Sequence, residues 1–179
     1  RLCRSARRRG LLVVVDAKRS DIATTAAAYA QGFLETLPND DRPLADALTV
    51  NPYFGTDGLK PFVDAAHASK TGLFVLVKTS NPTSAEIQDL KTPDDTVYQR
   101  VAAILARLEP EKDGAYGLIG AVVGATQKAV IPDIRERLPR SWLLLPGVGA
   151  QGATMEDAAL AFDRDGLGAR EVFEHRATL

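Results

Sequence analysis

The sequence predicts an α/β fold built on parallel strands, and three observations carry that prediction. Short apolar runs alternate with helical patterns along the chain. Each run is apolar on both faces, as befits strands covered by helices on two sides. The polar and glycine-rich residues cluster just after the runs, at "DAKRSD", "NPYFGTDG", "KTSNPTS", "VGAT" and "PGVGAQG", while the segments leading in are plainer. Ligands sit at the carboxyl ends of strands in both (β/α) barrels and doubly wound sheets, so the asymmetry fits either architecture.

The elements follow in order. "RLCRSARRRG" (1–10) reads as the tail of a preceding helix. Its cations face the negative helix end and Gly10 supplies a left-handed cap. It lacks the apolar core of a signal peptide. Strands are expected at 11–15, 46–50, 73–78, 118–123 and 142–146, and helices near 22–37, 57–69, 96–109, 126–138 and 153–163. "TVYQRVAAILARL" has the clearest helical spacing of apolar positions. Pro132 calls for a kink or a later start in the fourth helix, and Thr83 with Glu86 fits a capping box. About five βα units result, with no internal repeat or linker, so residues 1–179 read as a single domain.

Composition excludes several classes of function. With 22 basic and 23 acidic residues the net charge is −1, which gives no electrostatic case for nucleic acid or a membrane surface as partner. No apolar run approaches the roughly 20 residues of a membrane span. Cys3 is the single cysteine, so no intrachain disulfide can form, and a reducing cytoplasm is the default compartment. His67 and His175 are isolated and show no metal-ligand spacing.

The chemistry concentrates in "VVVDAKRSDIATT" (13–25). Asp16 and Lys18 are two apart and share a face if the strand continues. Asp21 falls where the next helix begins. Two readings stand. In one, Asp16 and Lys18 form a strand-end ion pair and Asp21 is a helix N-cap. In the other, carboxylate, ammonium and carboxylate form an array that suits a reaction building negative charge on carbon and ending in protonation.

"DAKRSDI" resembles the Asp-x-Lys-x-x-Asp motif of orotidine 5'-phosphate decarboxylases. "VNPYFGTDGLKPF", "KTSNP", "VVGAT" and "LLLPGVGAQG" follow in the order of the family's bacterial branch, so the resemblance runs from about Leu11 to Ala169. It implies a partial (β/α)8 TIM-type barrel that decarboxylates orotidylate to UMP in pyrimidine synthesis, with no metal or organic cofactor. Lys18 would protonate C6 of the pyrimidine and Asp16 would sit beside the substrate carboxylate. Asp21 and Thr25 would reach into the neighbouring site of a homodimer. Ser80 looks like a hydrogen-bonding partner of the pyrimidine, and Gly147 and Gln151 look like part of a phosphate loop. From residue types alone, the backbone N–H groups of "PGVGAQGA" could cradle a phosphate, or the glycines could simply make a tight βα turn.

The chain also departs from the family. A barrel of this kind has eight strands and typically about 250 residues. The units expected before Leu11 are missing, and with them an acidic ribose contact and a further lysine of the charged array. After "DGLGA" the text becomes "REVFEHRATL", so residues 170–179 read as an atypical tail, from truncation or a shifted reading frame. Neither Arg170 nor Arg176 sits in the family's phosphate-binding arginine motif. The runs "LLVVV" and "WLLLP" are then expected to be open sheet edges. A sister lyase acting on a sugar phosphate, usually with a metal, and a non-catalytic remnant are the competing readings.

Overall fold

Seven α-helices and six strands alternate among the residues that the computed structural model describes, which are 2–36, 38, 42–109, 115–149, 151–163, 166 and 169–171. The fold class is α/β with parallel strands. The chain falls into two compact units, Arg1–Leu76 with Leu118–Gly120, and Val77–Gly117 with Ala121–Leu179.

The first unit contains α1 (Leu2–Arg8), β1 (Val14–Arg19), α2 (Ala23–Leu34), β2 (Ala47–Val50), a 3-10 turn (Pro52–Phe54), α3 (Gly55–Ser69) and most of β3 (Gly72–Lys78). β1 pairs with β2, and β2 with β3, all parallel. Leu48, Val50, Leu59, Phe62, Leu73 and Val75 are each 1% exposed or less and form its core. Burying side chains of this size stabilises by about 1.5–3 kcal/mol each. α2 lies against α3 through small residues, Ala26 and Ala30, which are fully buried. At Gly58 of α3 a Cβ would stand 2.7 Å from the Phe54 Cβ and 3.0 Å from the Asp21 carbonyl, so glycine sets the closeness of that approach.

Gly10 takes a φ of +77° after α1, and its N–H donates to the Arg7 carbonyl at 2.9 Å. Arg7 then grips Asp46 at the entry to β2, while the Val13 N–H donates to the same carboxylate at 2.7 Å. Partial burial alone would raise the Asp46 carboxyl. The hydrogen bonds from Arg7 and Val13, and the charges of Arg7 and Arg42, outweigh that and hold it below the ordinary range.

The first strand differs from the expectation at 11–15. Leu11 and Leu12 are exposed and lie outside it, and β1 runs on through the polar residues to Arg19. Pairing is made by backbone groups, and β2 offers partners only from Ala47 to Val50. β1 stands at the end of the strand order and none of its residues is fully buried, so "LLVVV" contributes an edge rather than a strand covered on both faces.

The second unit contains the end of β3, a 3-10 turn (Pro82–Ser84), α4 (Ala85–Gln88), α5 (Val97–Leu108), β4 (Ile119–Val123, of which the first two residues belong to the first unit), α6 (Ile131–Arg137), β5 (Leu143–Leu145), α7 (Met155–Ala159) and β6 (Ala169–Glu171). β4 pairs with β5, and β5 with β6, again parallel. Val123, Ile131, Ile134, Leu143 and Leu145 are its buried core. The Arg135 guanidinium, 9% exposed, donates to the carbonyls of Ala161, Leu138 and Ser141 at 2.8–2.9 Å and ties down the chain around β5.

One expectation is resolved here and two need correction. α6 begins at Ile131, so Pro132 occupies its first turn, where the missing N–H costs nothing; of the two options, the later start is realised. The Thr83–Glu86 capping box does not form, because Thr83 lies inside the 3-10 turn and Ser84 precedes α4. "WLLLP" is not an open edge: Leu143–Leu145 pair with Ala169–Glu171, a strand whose charged text hid it. Residues 172–179, with His175 and Arg176, lie outside the described residues.

Candidate active site

In the first unit the end of β1 is built around an irregularity. Val15 pairs with Leu48 and Arg19 with Val50, so three residues, 16–18, stand opposite one, Thr49. Bulges of this kind re-aim side chains. Lys18 takes a left-handed φ of 48°, rare for a residue with a Cβ. The Lys18 N–H donates to Thr49 Oγ1 at 3.0 Å, and that hydroxyl donates to Asp16 Oδ1 at 2.7 Å. Lys18 Nζ lies 2.5 Å from Asp16 Oδ2. Asp16 and Lys18 therefore do meet, through the bulge and Thr49 rather than by regular strand alternation.

Both side chains of the pair are about half exposed, at 52% and 50%. Burial alone would raise the Asp16 carboxyl; the hydrogen bonds from Lys18 and Thr49 and the charge of Lys18 prevail and hold it below the ordinary carboxylate range. The result is an ionised carboxylate and a directed ammonium that still faces solvent.

Asp21 does not cap α2. The helix starts at Ala23 after Ile22, and Asp21 Oδ1 accepts only from the adjacent Ile22 N–H, at 2.8 Å. Thr25 is half-buried on the first turn of α2, beside the exposed Ile22. Among the described residues no hydrogen bond or ion pair joins Asp21 or Thr25 to the Asp16–Lys18 pair.

The second unit holds the other predicted residues. Ser80 is half-buried just after β3. Gly147 is buried after β5 with a φ of +106°, and the Gln151 side chain folds over it, since a Cβ at Gly147 would stand 2.9 Å from Gln151 Oε1. The backbone of this loop is less free than its glycines suggest. The N–H groups of Gly149, Gln151, Gly152 and Ala153 donate to loop carbonyls at 2.9–3.4 Å. Thr154 and Asp157 cap the short α7 reciprocally, and Asp157 pairs with Lys128 at 2.9 Å. Those four amides and the helix end are occupied by bonds within the loop and the cap.

Several neighbours of these residues were not singled out from sequence. Thr49 had a signal, being a polar residue, 1% exposed, in an otherwise apolar strand. Lys78 likewise ends an apolar run; it is 1% exposed and bound to Asp89 at 2.7 Å. Gln88 and Gln127 carried none. His67 is exposed near the end of α3, and among the described residues no group of three His, Cys, Asp or Glu side chains could hold a metal ion. No helix of the described residues is long and apolar enough to cross a membrane.

Residues 1–165 match the sequence model of the orotidine 5'-phosphate decarboxylase / HUMPS family. The chain is 46% identical over 168 residues to the orotidine 5'-phosphate decarboxylase of Rhodopirellula baltica, covering 92% of this chain and 55% of that one. It is 47% identical over 171 residues to the enzyme of that name from Deinococcus radiodurans, covering 94% and 59%. Among solved structures, the OMP decarboxylase of Leishmania donovani superposes with a TM-score of 0.71 at 34% identity, over 90% of this chain and 58% of that one. The chain thus spans a little over half the length of the curated relatives it matches. The matched stretch contains the charged bulge, the Ser80 loop and the Gly147–Gln151 turn, and on these grounds the chain belongs to the orotidine 5'-phosphate decarboxylase / HUMPS family.

Proposed function

We propose that the protein containing this chain is an orotidine 5'-phosphate decarboxylase of the cytoplasm, converting orotidylate to UMP and CO2. The observation that carries the reading is the Asp16–Lys18 pair, 2.5 Å apart on a bulged strand end and open to solvent. Loss of CO2 breaks the bond between C6 and the carboxyl carbon and leaves the electron pair on C6. An ammonium placed close to that developing charge stabilises it, and it can then donate its proton to the same carbon. Lys18 takes this role and regains its proton from water. Asp16 faces the substrate carboxylate and keeps Lys18 aimed.

Ser80 contacts the pyrimidine, and Gly147 and Gln151 contact the phosphate. Asp21 and Thr25 act across a homodimer. The reaction as proposed uses no metal and no organic cofactor, and the substrate is a small molecule rather than nucleic acid.

The test is decarboxylation of orotidylate, followed by its absorbance, in a chain extended to the length of its relatives. The expected result is saturable turnover, with none on a pentulose or hexulose phosphate. Turnover of the sugar phosphate instead would move the protein to the sister branch. The 179-residue chain alone should turn over slowly or not at all, because the six strands among its described residues fall short of the eight that close a barrel.

A further inference from the structure

The residues 79–81 around Ser80 have no regular secondary structure, yet the backbone there is gripped on both sides. The Thr79 N–H donates to Gln88 Oε1 at 2.9 Å, and the Thr79 carbonyl accepts from Gln127 Nε2 at 3.2 Å. Gln88 Nε2 also donates to Thr79 Oγ1 at 2.8 Å, and that hydroxyl donates to Asn81 Oδ1 at 2.6 Å. One residue earlier, the Lys78 carbonyl accepts from the Gly124 N–H at 2.7 Å. A Cβ at Gly124 would come within 2.8 Å of the Ser80 N, Cα and Cβ, so Ser80 rests against the bare face of that glycine.

These bonds exceed what the neighbouring helices need. The cap of α4 makes no side-chain hydrogen bond, and neither does that of α6. Two primary amides supply a matched acceptor and donor to one residue's backbone and carry no charge, so the grip does not change with pH. We infer that Gln88 and Gln127 are positioning residues: they lock the Thr79 backbone so that Ser80 is presented in one fixed orientation to the nucleobase part of a nucleotide. The inference rests on the reading of Ser80 as a base contact.

The experiment has two arms. In the 179-residue chain, Gln127→Ala should speed hydrogen exchange at the Thr79 amide by about tenfold, although its own acceptor, Gln88, is untouched. Exchange in β4 and β5 should stay as it was. Gln127→Glu keeps the volume but sets an acceptor against the carbonyl, and should give the same pattern if the alanine variant folds poorly. In the extended chain, Gln127→Ala should weaken uridine 5'-phosphate by about tenfold and leave ribose 5-phosphate within about twofold. Unchanged exchange at Thr79 overturns the inference, as does a variant that keeps the parent's preference for uridine 5'-phosphate. A parent with no preference for uridine 5'-phosphate over ribose 5-phosphate would instead overturn the reading of Ser80 itself, whatever the exchange shows.

Discussion

Two strands carry, at or one residue before their carboxyl end, a lysine bound to an aspartate, and the pairs have opposite characters. Lys18 and Asp16 are each about half exposed, at the end of an edge strand distorted by a bulge. Lys78 is 1% exposed, its ammonium 2.7 Å from Asp89 and 3.4 Å from the Ser84 hydroxyl. An exposed pair contributes little to stability but leaves its ammonium able to meet a substrate. A buried ammonium is costly to desolvate and is tolerated only while its partners remain. Exposure, not residue type or pairing, therefore separates the lysine available for chemistry from the lysine that anchors a loop.

The sharpest way to break this comparison is to remove Lys18. In a chain extended to the length of its relatives, Lys18→Ala should lower kcat by about a thousandfold or more, since the proposed mechanism assigns it both charge stabilisation and proton donation. Circular dichroism should show the fold retained. Residual turnover within tenfold of the parent would place the proton donor elsewhere.

Asp89→Ala should be the largest effect on stability, about 3 kcal/mol by denaturant titration, because the Lys78 charge is left buried beside one hydroxyl. Lys78→Met removes the charge together with the pair and should cost less. A loss below about 1 kcal/mol for Asp89→Ala would mean that water reaches the ammonium.

Acid titration sharpens the role of the ion pairs at the strand entry. The folded-state carboxyl of Asp46 lies below its unfolded value of about 3.9. Its contribution is present above that value and lost as pH falls through the lower folded value. Asp46→Asn should therefore flatten the fall of stability below about pH 4, and leave the slope between pH 6 and 8 as it was, when unfolding is followed across that range. An unaltered acid limb would show that Arg7 does not hold this carboxylate in solution.

The smallest effect should be that of Lys18→Met on stability, within about 1 kcal/mol of the parent. A larger loss would mean that the exposed pair supports the bulge and would blur the contrast with Lys78.

How much of this was legible depends on how local each feature is. The strands at 46–50, 73–78, 118–123 and 142–146 were found within a residue or two, because continuous apolar runs are local and their burial follows from composition. The lengths of α2 and α7 were overestimated, since the apolar spacing continues past Leu34 and Ala159, where the helices end. β6 was missed because a short strand can be formed by backbone pairing to a neighbour, whatever the charge of its side chains. In the candidate site, the meeting of Asp16 and Lys18 was anticipated but its cause was not. Alternation along a regular strand would have sufficed, yet the structure uses a bulge opposite Thr49, thirty-three residues away.

By itself, then, the sequence determined the α/β class, the places of the four apolar strands from 46 to 146, the residues that make the charged strand end, and the family they resemble. All of these depend on residue type and near-neighbour spacing. Tertiary structure alone decided that Lys18 faces solvent while Lys78 is sealed, that Asp21 caps nothing, that the amides of Gly149, Gln151, Gly152 and Ala153 are already bonded, and that two glutamines hold the Thr79 backbone. Each of those depends on which distant backbone group or side chain arrives beside the residue, and burial and hydrogen-bond partnership between distant segments leave no periodic mark in the sequence.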